Sequence, residues 1–161
     1  MNDSHHKPGR ALRDALGCFA TGVGIVTTAT PDGHKMGLTV NSFSSLSLDP
    51  PLILWSLSLA SGLSDHFEEG CPFVVNFLHD GQEDLALKFA TALEDRFKSL
   101  EMRDGAGGAP IFIDNAGHLE CVTEGVFPGG DHLIIIGRVL AFESGTKPPL
   151  VFHKGIFRTL K

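Results

Sequence analysis

Turn residues cut this chain at intervals too short for long helices. "PDGHK" at 31–35, "DPP" at 49–51, "PGGD" at 128–131 and "KPP" at 147–149 all break a regular backbone. Proline cannot donate to a strand ladder, and Pro-Asp-Gly runs form tight turns. Between the breaks lie "VGIVTTAT", "LILWSLS", "PFVVNFLH", "GHLECVTEGVF" and "HLIIIGRVLAFE", rich in β-branched and large apolar residues. Helical spacing is confined to short stretches. Leu12, Leu16 and Phe19 predict a helix within 9–20. Ser61 or Ser64 can cap another running to about Glu69. Leu85, Phe89 and Leu93 predict a third within 81–100, broken near Ala90. Residues 101–110 read as a flexible loop, and "KPPLVFHKGIFRTL" as a turn and a last short strand. About seven strands with short antiparallel connections argue against a doubly wound parallel sheet. They predict a mainly β fold, a small closed or partly closed barrel with short helices at its ends.

A chain of 161 residues suits a single domain over 1–161, with the polar residues 1–10 as a flexible lead-in. The formal charge is −6, from 13 basic and 19 acidic residues. That balance argues against nucleic acid as a partner, yet leaves room for a local basic pocket holding one phosphorylated small molecule. No apolar run reaches the roughly 18–20 residues that span a bilayer, so no membrane association is expected. Cys18, Cys71 and Cys121 are odd in number and form no CxxC pair. A reduced, cytoplasmic setting without disulfides or a metal is the expectation.

The segment Met36–Leu48, "MGLTVNSFSSLSL", reads as one long strand, and its chemistry is unusual. Thr39, Asn41, Ser42, Ser44, Ser45 and Ser47 place small polar groups on both faces, and no charged residue occurs among them. A solvated strand usually carries charge. Uncharged hydroxyls and an amide close to the backbone leave space for a flat heteroaromatic ring and offer hydrogen bonds to its edge, as a flavin requires. Ser56, Ser58, Ser61 and Ser64 follow where a strand gives way to a predicted helix start, a place suited to a phosphate.

With "FATGVGIVTTATPDGHKMGLTVNSFSSLSLDPPLILWSLS", "FVVNFLHDGQEDLALKFA", "GGDHLIIIGRV" and "PPLVFHKGIFRTL" in this order, most of the chain resembles the short-chain flavin reductases. These are the reductase components of two-component flavin-dependent monooxygenases. The resemblance implies a Greek-key split β-barrel of the FMN-binding type and a homodimer with FMN or FAD near the subunit interface. It also implies NADH or NADPH as hydride donor and a separate monooxygenase that receives reduced flavin. By the same resemblance, Thr39, Val40, Asn41 and Ser42 run along the isoalloxazine. Ser56, Leu57 and Ser58 lie beside the ring and ribityl chain, and Ser61 near the phosphate. Lys88, Phe89 and Ala90 cover the flavin tail, and His132 of "GGDH" meets the nicotinamide. His153 is a second candidate for that contact, although Ile156 and Phe157 stand where the family often carries tyrosine or arginine.

Hydride transfer between two cofactors needs no protein nucleophile, and the chain shows no convincing Ser–His–Asp or Cys–His pattern. "TGVG" lacks the third glycine of a dinucleotide fingerprint and leads into a strand. "GAGGAP" lacks the lysine of a phosphate loop. His34 and His118 read as ordinary surface residues, and Trp55 as core. Two other functions fit the same barrel: a non-catalytic flavin or haem carrier, and an oxidase of a pyridoxal-type phosphate.

Overall fold

The computed structural model describes residues 8–91 and 95–160. Its centre is a seven-stranded antiparallel sheet. The strands are β2 (Gly24–Ala29), β3 (Lys35–Val40), β4 (Ser44–Leu48), β5 (Pro51–Ser58), β6 (Pro72–Phe77), β9 (Gly117–Gly129) and β10 (His132–Ser144), in the order β3-β2-β6-β9-β10-β5-β4. Met36–Leu48 is therefore two strands, not one. β3 and β4 follow each other in the chain yet occupy opposite edges of the sheet. Flat, a seven-stranded sheet would hold its edges about 29 Å apart, at about 4.8 Å per strand. The chain from Val40 to Ser44 reaches at most about 14 Å. The sheet must curl until its edges approach, and because β3 and β4 do not pair with each other, the barrel stays split along that seam.

Bulges help the curl. The β9–β10 register shifts between Ile136 and Gly137 and again between Val139 and Ala141, and each shift adds twist. Gly137 sits at the first of these. A Cβ there would come within 2.5 Å of the Phe73 ring, so no larger residue fits.

The barrel interior takes alternate residues of β5, namely Ile53, Trp55 and Leu57, with Val26, Val75 and Ile135. Trp55, Phe67 and Phe73 meet edge to face, with centroids 4.9–6.1 Å apart. Trp55 is thus core, as its sequence context predicts. A second apolar cluster lies under α2 (Glu83–Ala90), where Phe89, Phe97 and Phe112 pack around Leu78, Ala86 and Leu150. The three cysteines are free, and burial, with a lesser push from Glu120, lifts the Cys121 thiol to about 12.

Several local expectations change. The first helix, α1 (Pro8–Leu16), stops where Gly17 closes on the Arg13 carbonyl, leaving Phe19 outside it and exposed. Residues 101–110 are not an open loop, since β7 (Met102–Asp104) pairs with β8 (Pro110–Phe112). The C-terminal segment is a hairpin, β11 (Val151–His153) with β12 (Ile156–Arg158), and β1 (Thr21–Gly22) adds to β11. Leu93 of the expected third helix lies outside the described residues.

His118 is buried rather than on the surface. The Arg103 guanidinium donates to its Nε2 at 3.3 Å, and desolvation, then Arg103, hold its pKa below the usual 6.5. The neutral ring is therefore the folded form. Its contribution to stability is full above pH 6.5 and is lost as pH falls through the lower folded value. Chemical denaturation between pH 7.5 and about 5 should show this loss, and His118→Gln should flatten that part of the profile.

Asn76 ties β2, β6 and β8 together from within. Its side-chain amide donates to Pro110 O at 3.1 Å and Thr27 Oγ1 at 3.2 Å, and its Oδ1 accepts from Phe112 N at 2.9 Å. Asn76→Ala would bury unpaired groups and should cost about 2–3 kcal/mol in urea denaturation.

Candidate functional site

Residues that alternate inward and outward on β5 define the site. While Trp55 and Leu57 fill the barrel, Ser56 and Ser58 point the other way. Across the ladder, Ser56 lies opposite Ile134 and Ser58 opposite His132, and residues paired in this manner share a face. β4 leaves β5 after Ser44 pairs with Leu54, so Ser56 has no strand on that side. The Ser42 hydroxyl takes its place. It accepts from Ser56 N at 2.9 Å and donates to Ser56 O at 3.3 Å. Ser42, Ser56, Ser58 and His132 thus line up along one rim of the split. Asn41 is exposed beside them. Among the described residues, Asn41, Ser42 and Phe43 make no backbone–backbone hydrogen bonds beyond the ladders, which leaves N–H groups for a ligand.

Not every predicted residue presents its side chain to that rim. The Thr39 hydroxyl donates to Ala86 O at 2.6 Å and fastens β3 to α2. Val40 and Leu57 are buried in the barrel core and offer outward only their backbone. Phe89 is buried in the cluster under α2. Lys88 and Ala90 lie at the exposed end of α2, where Lys88 Nζ donates to Lys98 O at 3.4 Å. The expected helix from Ser61 or Ser64 is replaced by two 3-10 turns, Leu59–Ser61 and Ser64–His66. Gly62, at φ +69°, turns the chain left-handed directly after the first. No α-helix dipole is available there. The Ser58 hydroxyl accepts from Ala60 N and the Ser61 hydroxyl from Leu63 N. Each keeps its own O–H to donate.

A cleft of about 670 Å³ opens beside Leu63, two residues on from Ser61. The β2–β3 turn forms one wall, with His34 and Lys35. Asp95–Lys98 form the other, and Arg96 Nη1 donates to Gly37 O at 2.8 Å. Sequence reading missed Arg96, Phe97 and Lys98, which sit in "DRFKSL" and look like the face of a helix. The only signal was two cations flanking an aromatic ring.

His132 is half-buried, and its Nδ1 is 2.7 Å from Asp131 Oδ1. That hydrogen bond, then the imidazole charge, holds the Asp131 carboxyl below its ordinary range. With Nδ1 donating, Nε2 is left to face the rim or solvent. His153 belongs to the small three-stranded sheet, apart from the large sheet that carries His132.

This donor set fits a flavin. Its uncharged hydroxyls, an amide and open backbone N–H groups could pair with a ring edge, and Lys35 and Lys98 line a cleft that opens at Leu63.

Known proteins agree with that chemistry. A family profile described as "Flavin reductase like domain" matches residues 16–161. The reductase subunit Stc3 of stachydrine N-demethylase from Rhizobium meliloti (strain 1021) is 39% identical, covering 91% of this chain and 64% of its own length. FMN reductase (NADH) SmoA of Agrobacterium fabrum is 39% identical over 92% of this chain and 84% of its own. The crystal structure of the NADH:FAD oxidoreductase SgcE6 of Streptomyces globisporus C-1027, with NAD and FAD fragments, superposes with a TM-score of 0.90. It is 33% identical and covers 96% of this chain and 94% of its own. The chain spans about half to two thirds of the length of three of the curated relatives it matches, 48%, 64% and 48%. With its split β-barrel and its match from residue 16 onward, the chain belongs to the flavin reductase-like family.

Proposed function

We propose that the chain is an NAD(P)H:flavin oxidoreductase that passes reduced FMN or FAD to a separate monooxygenase. The observation that carries this reading is the polar row Ser42–Ser56–Ser58–His132 together with a cleft lined by Lys35 and Lys98 that opens at Leu63. When bound, the flavin supplies the hydride acceptor and the nicotinamide the hydride. The protein's part is alignment. Backbone N–H groups of Thr39–Ser42 and the Asn41 amide meet the ring edge. Ser56, Leu57 and Ser58 flank the ring and ribityl chain, the latter two through backbone and hydroxyl. Ser61 and the cleft hold the phosphate end, with Lys88 and Ala90 at the exposed end of α2 beside the tail and Phe89 buried beneath them. His132, fixed in orientation by Asp131, directs Nε2 to the nicotinamide carboxamide.

Relatives named as reductase subunits support a monooxygenase as the receiving partner. A homodimer accounts for the exposed apolar residues at one sheet edge, Leu46 and Leu48 on β4 and Leu140 and Phe142 on β10. A second copy would cover them. Free cysteines suit a cytoplasmic setting, and among the described residues no helix is long and apolar enough to cross a membrane.

Steady-state oxidation of NADH and NADPH with FMN, FAD or no added flavin tests the assignment. Flavin-dependent turnover well above that of free flavin is expected. Flavin binding without such turnover would mean a carrier, and no flavin affinity would end the proposal. His132→Ala removes one contact to the donor and should lower kcat/KM for the nicotinamide about tenfold, the value of a hydrogen bond of about 1.4 kcal/mol. Flavin affinity, read by fluorescence, should change much less. Equal losses for both ligands would take His132 out of the nicotinamide site.

A further inference from the structure

An exposed aromatic ring flanks the polar rim on the side away from Ser42. Phe127, near the end of β9, is 52% exposed. Its place follows from two ladders. β5, β10 and β9 lie side by side, with Ser56 opposite Ile134 and Ile134 opposite Phe127. The next row along is Ser58, His132 and Gly129. Residues paired in this way share a face, and the inward row, Trp55, Ile135 and Val126, lies between these two. Phe127 therefore stands on the same face as Ser56, Ser58 and His132. It is the diagonal neighbour of His132, a separation of about 7–8 Å that aromatic and long side chains span. Resting on the flavin reductase reading, we infer that the Phe127 ring is the platform on which the adenine of the nicotinamide donor stacks.

Three features suit the ring to that task. The first is posture. A Cβ at Gly125 would stand 3.0 and 3.4 Å from Cε2 and Cζ of Phe127. The ring thus lies back over the bare backbone of Gly125, where even an alanine would crowd it. A half-exposed phenyl supported on one side offers its other side to a purine. The second is clearance. Gly129 brings no side chain to the ground between Phe127 and His132, and a Cβ there would meet Ile134 Cγ1 at 3.2 Å. The third is order across the sheet. In the proposed arrangement the flavin edge lies at Ser42 and Ser56, and the nicotinamide at His132 on β10. Phe127 follows on β9, two strand spacings or about 10 Å from Ser56. The donor has two aromatic ends, and with the nicotinamide at His132 the end left for Phe127 is the adenine. Contacts only one diagonal apart require the dinucleotide to bend, its pyrophosphate looping toward solvent. A donor held in this way needs no dinucleotide-binding domain of its own, in keeping with a "TGVG" that lacks the third glycine of the fingerprint.

Steady-state kinetics with two donors test this. NADH carries the adenine, and reduced nicotinamide mononucleotide does not. Phe127→Ala and Phe127→Leu should raise KM for NADH about five- to tenfold with little change in kcat, the worth of one aromatic stacking contact. Phe127→Trp keeps a ring and should hold that KM within about twofold. With reduced nicotinamide mononucleotide, the Ala and Leu variants should stay within about twofold of the unaltered chain. Adenosine monophosphate should compete with NADH, and its inhibition constant should rise in Phe127→Ala by the same factor as KM. Equal losses with both donors, or no change with NADH, would overturn the inference while leaving flavin reduction intact. A matching loss of flavin affinity, read by fluorescence, would also overturn it, because the ring would then belong to the flavin. So would a change in sedimentation between the unaltered chain and Phe127→Ala, which would mean that a second copy covers the ring. A chain that reduces flavin with neither donor would remove the reductase reading itself, and this inference with it.

Discussion

Everything in this barrel depends on the short crossing from Val40 to Ser44. It fixes two opposite sheet edges close together at one end and leaves them apart at the other. A crossing of that kind cannot be part of either ladder, so its backbone groups need partners of another sort. Here a side chain does what a strand would do, with the Ser42 hydroxyl receiving and giving the hydrogen bonds that Ser56 would exchange with a neighbour. The segment is therefore polar without being charged. It lies against a packed interior, where a charge would be costly, yet its own N–H groups stay open. The property that closes the barrel is also the property that suits a flavin's edge.

That double role explains what the sequence could and could not convey. β2, β5, β6 and the β9–β10 hairpin follow from β-branched runs and the "PGGD" turn. The unusual chemistry of Thr39–Ser47 was legible too, because the absence of charge is a local fact. Its division into two edge strands was not, since alternation of side chains says nothing about which strand is the neighbour. The expected helix from Ser61 or Ser64 fails for a simpler reason. Gly62 stood in plain view within "ASGLSD", and a left-handed residue there stops a helix after one turn. The cationic cleft was beyond reach because Lys35 and Lys98, 63 positions apart (98 less 35), meet only through the fold.

The electrostatic layout separates the tasks of the site. The serines of the rim are uncharged, and its one carboxylate, Asp131, is bonded to the His132 ring. Lys35, Arg96 and Lys98 concentrate charge along the cleft. Cys121 is buried in the core with its thiol pushed up to about 12, so it stays protonated and unreactive. In the proposed function the chemistry is left to the two cofactors.

The ring rim and the tail cleft lie on different elements, and alignment requires that they not drift. Two hydrogen bonds tie β3, the strand leading into the rim, to α2 and to the cleft wall. The Thr39 hydroxyl holds the Ala86 carbonyl of α2, and the Gly37 carbonyl receives Arg96 from the turn beyond α2. Gly37 itself lets the Phe89 ring approach to 3.0 Å from where a Cβ would stand, so β3 and α2 pack without a spacer. Thr39 thus serves the site without its hydroxyl reaching the ring. By anchoring α2, it holds β3 against the element that carries Lys88 and Ala90. For the hydride transfer proposed here, which turns on a near-attack separation of about 3–3.5 Å, rigidity of this scaffold matters as much as any direct contact.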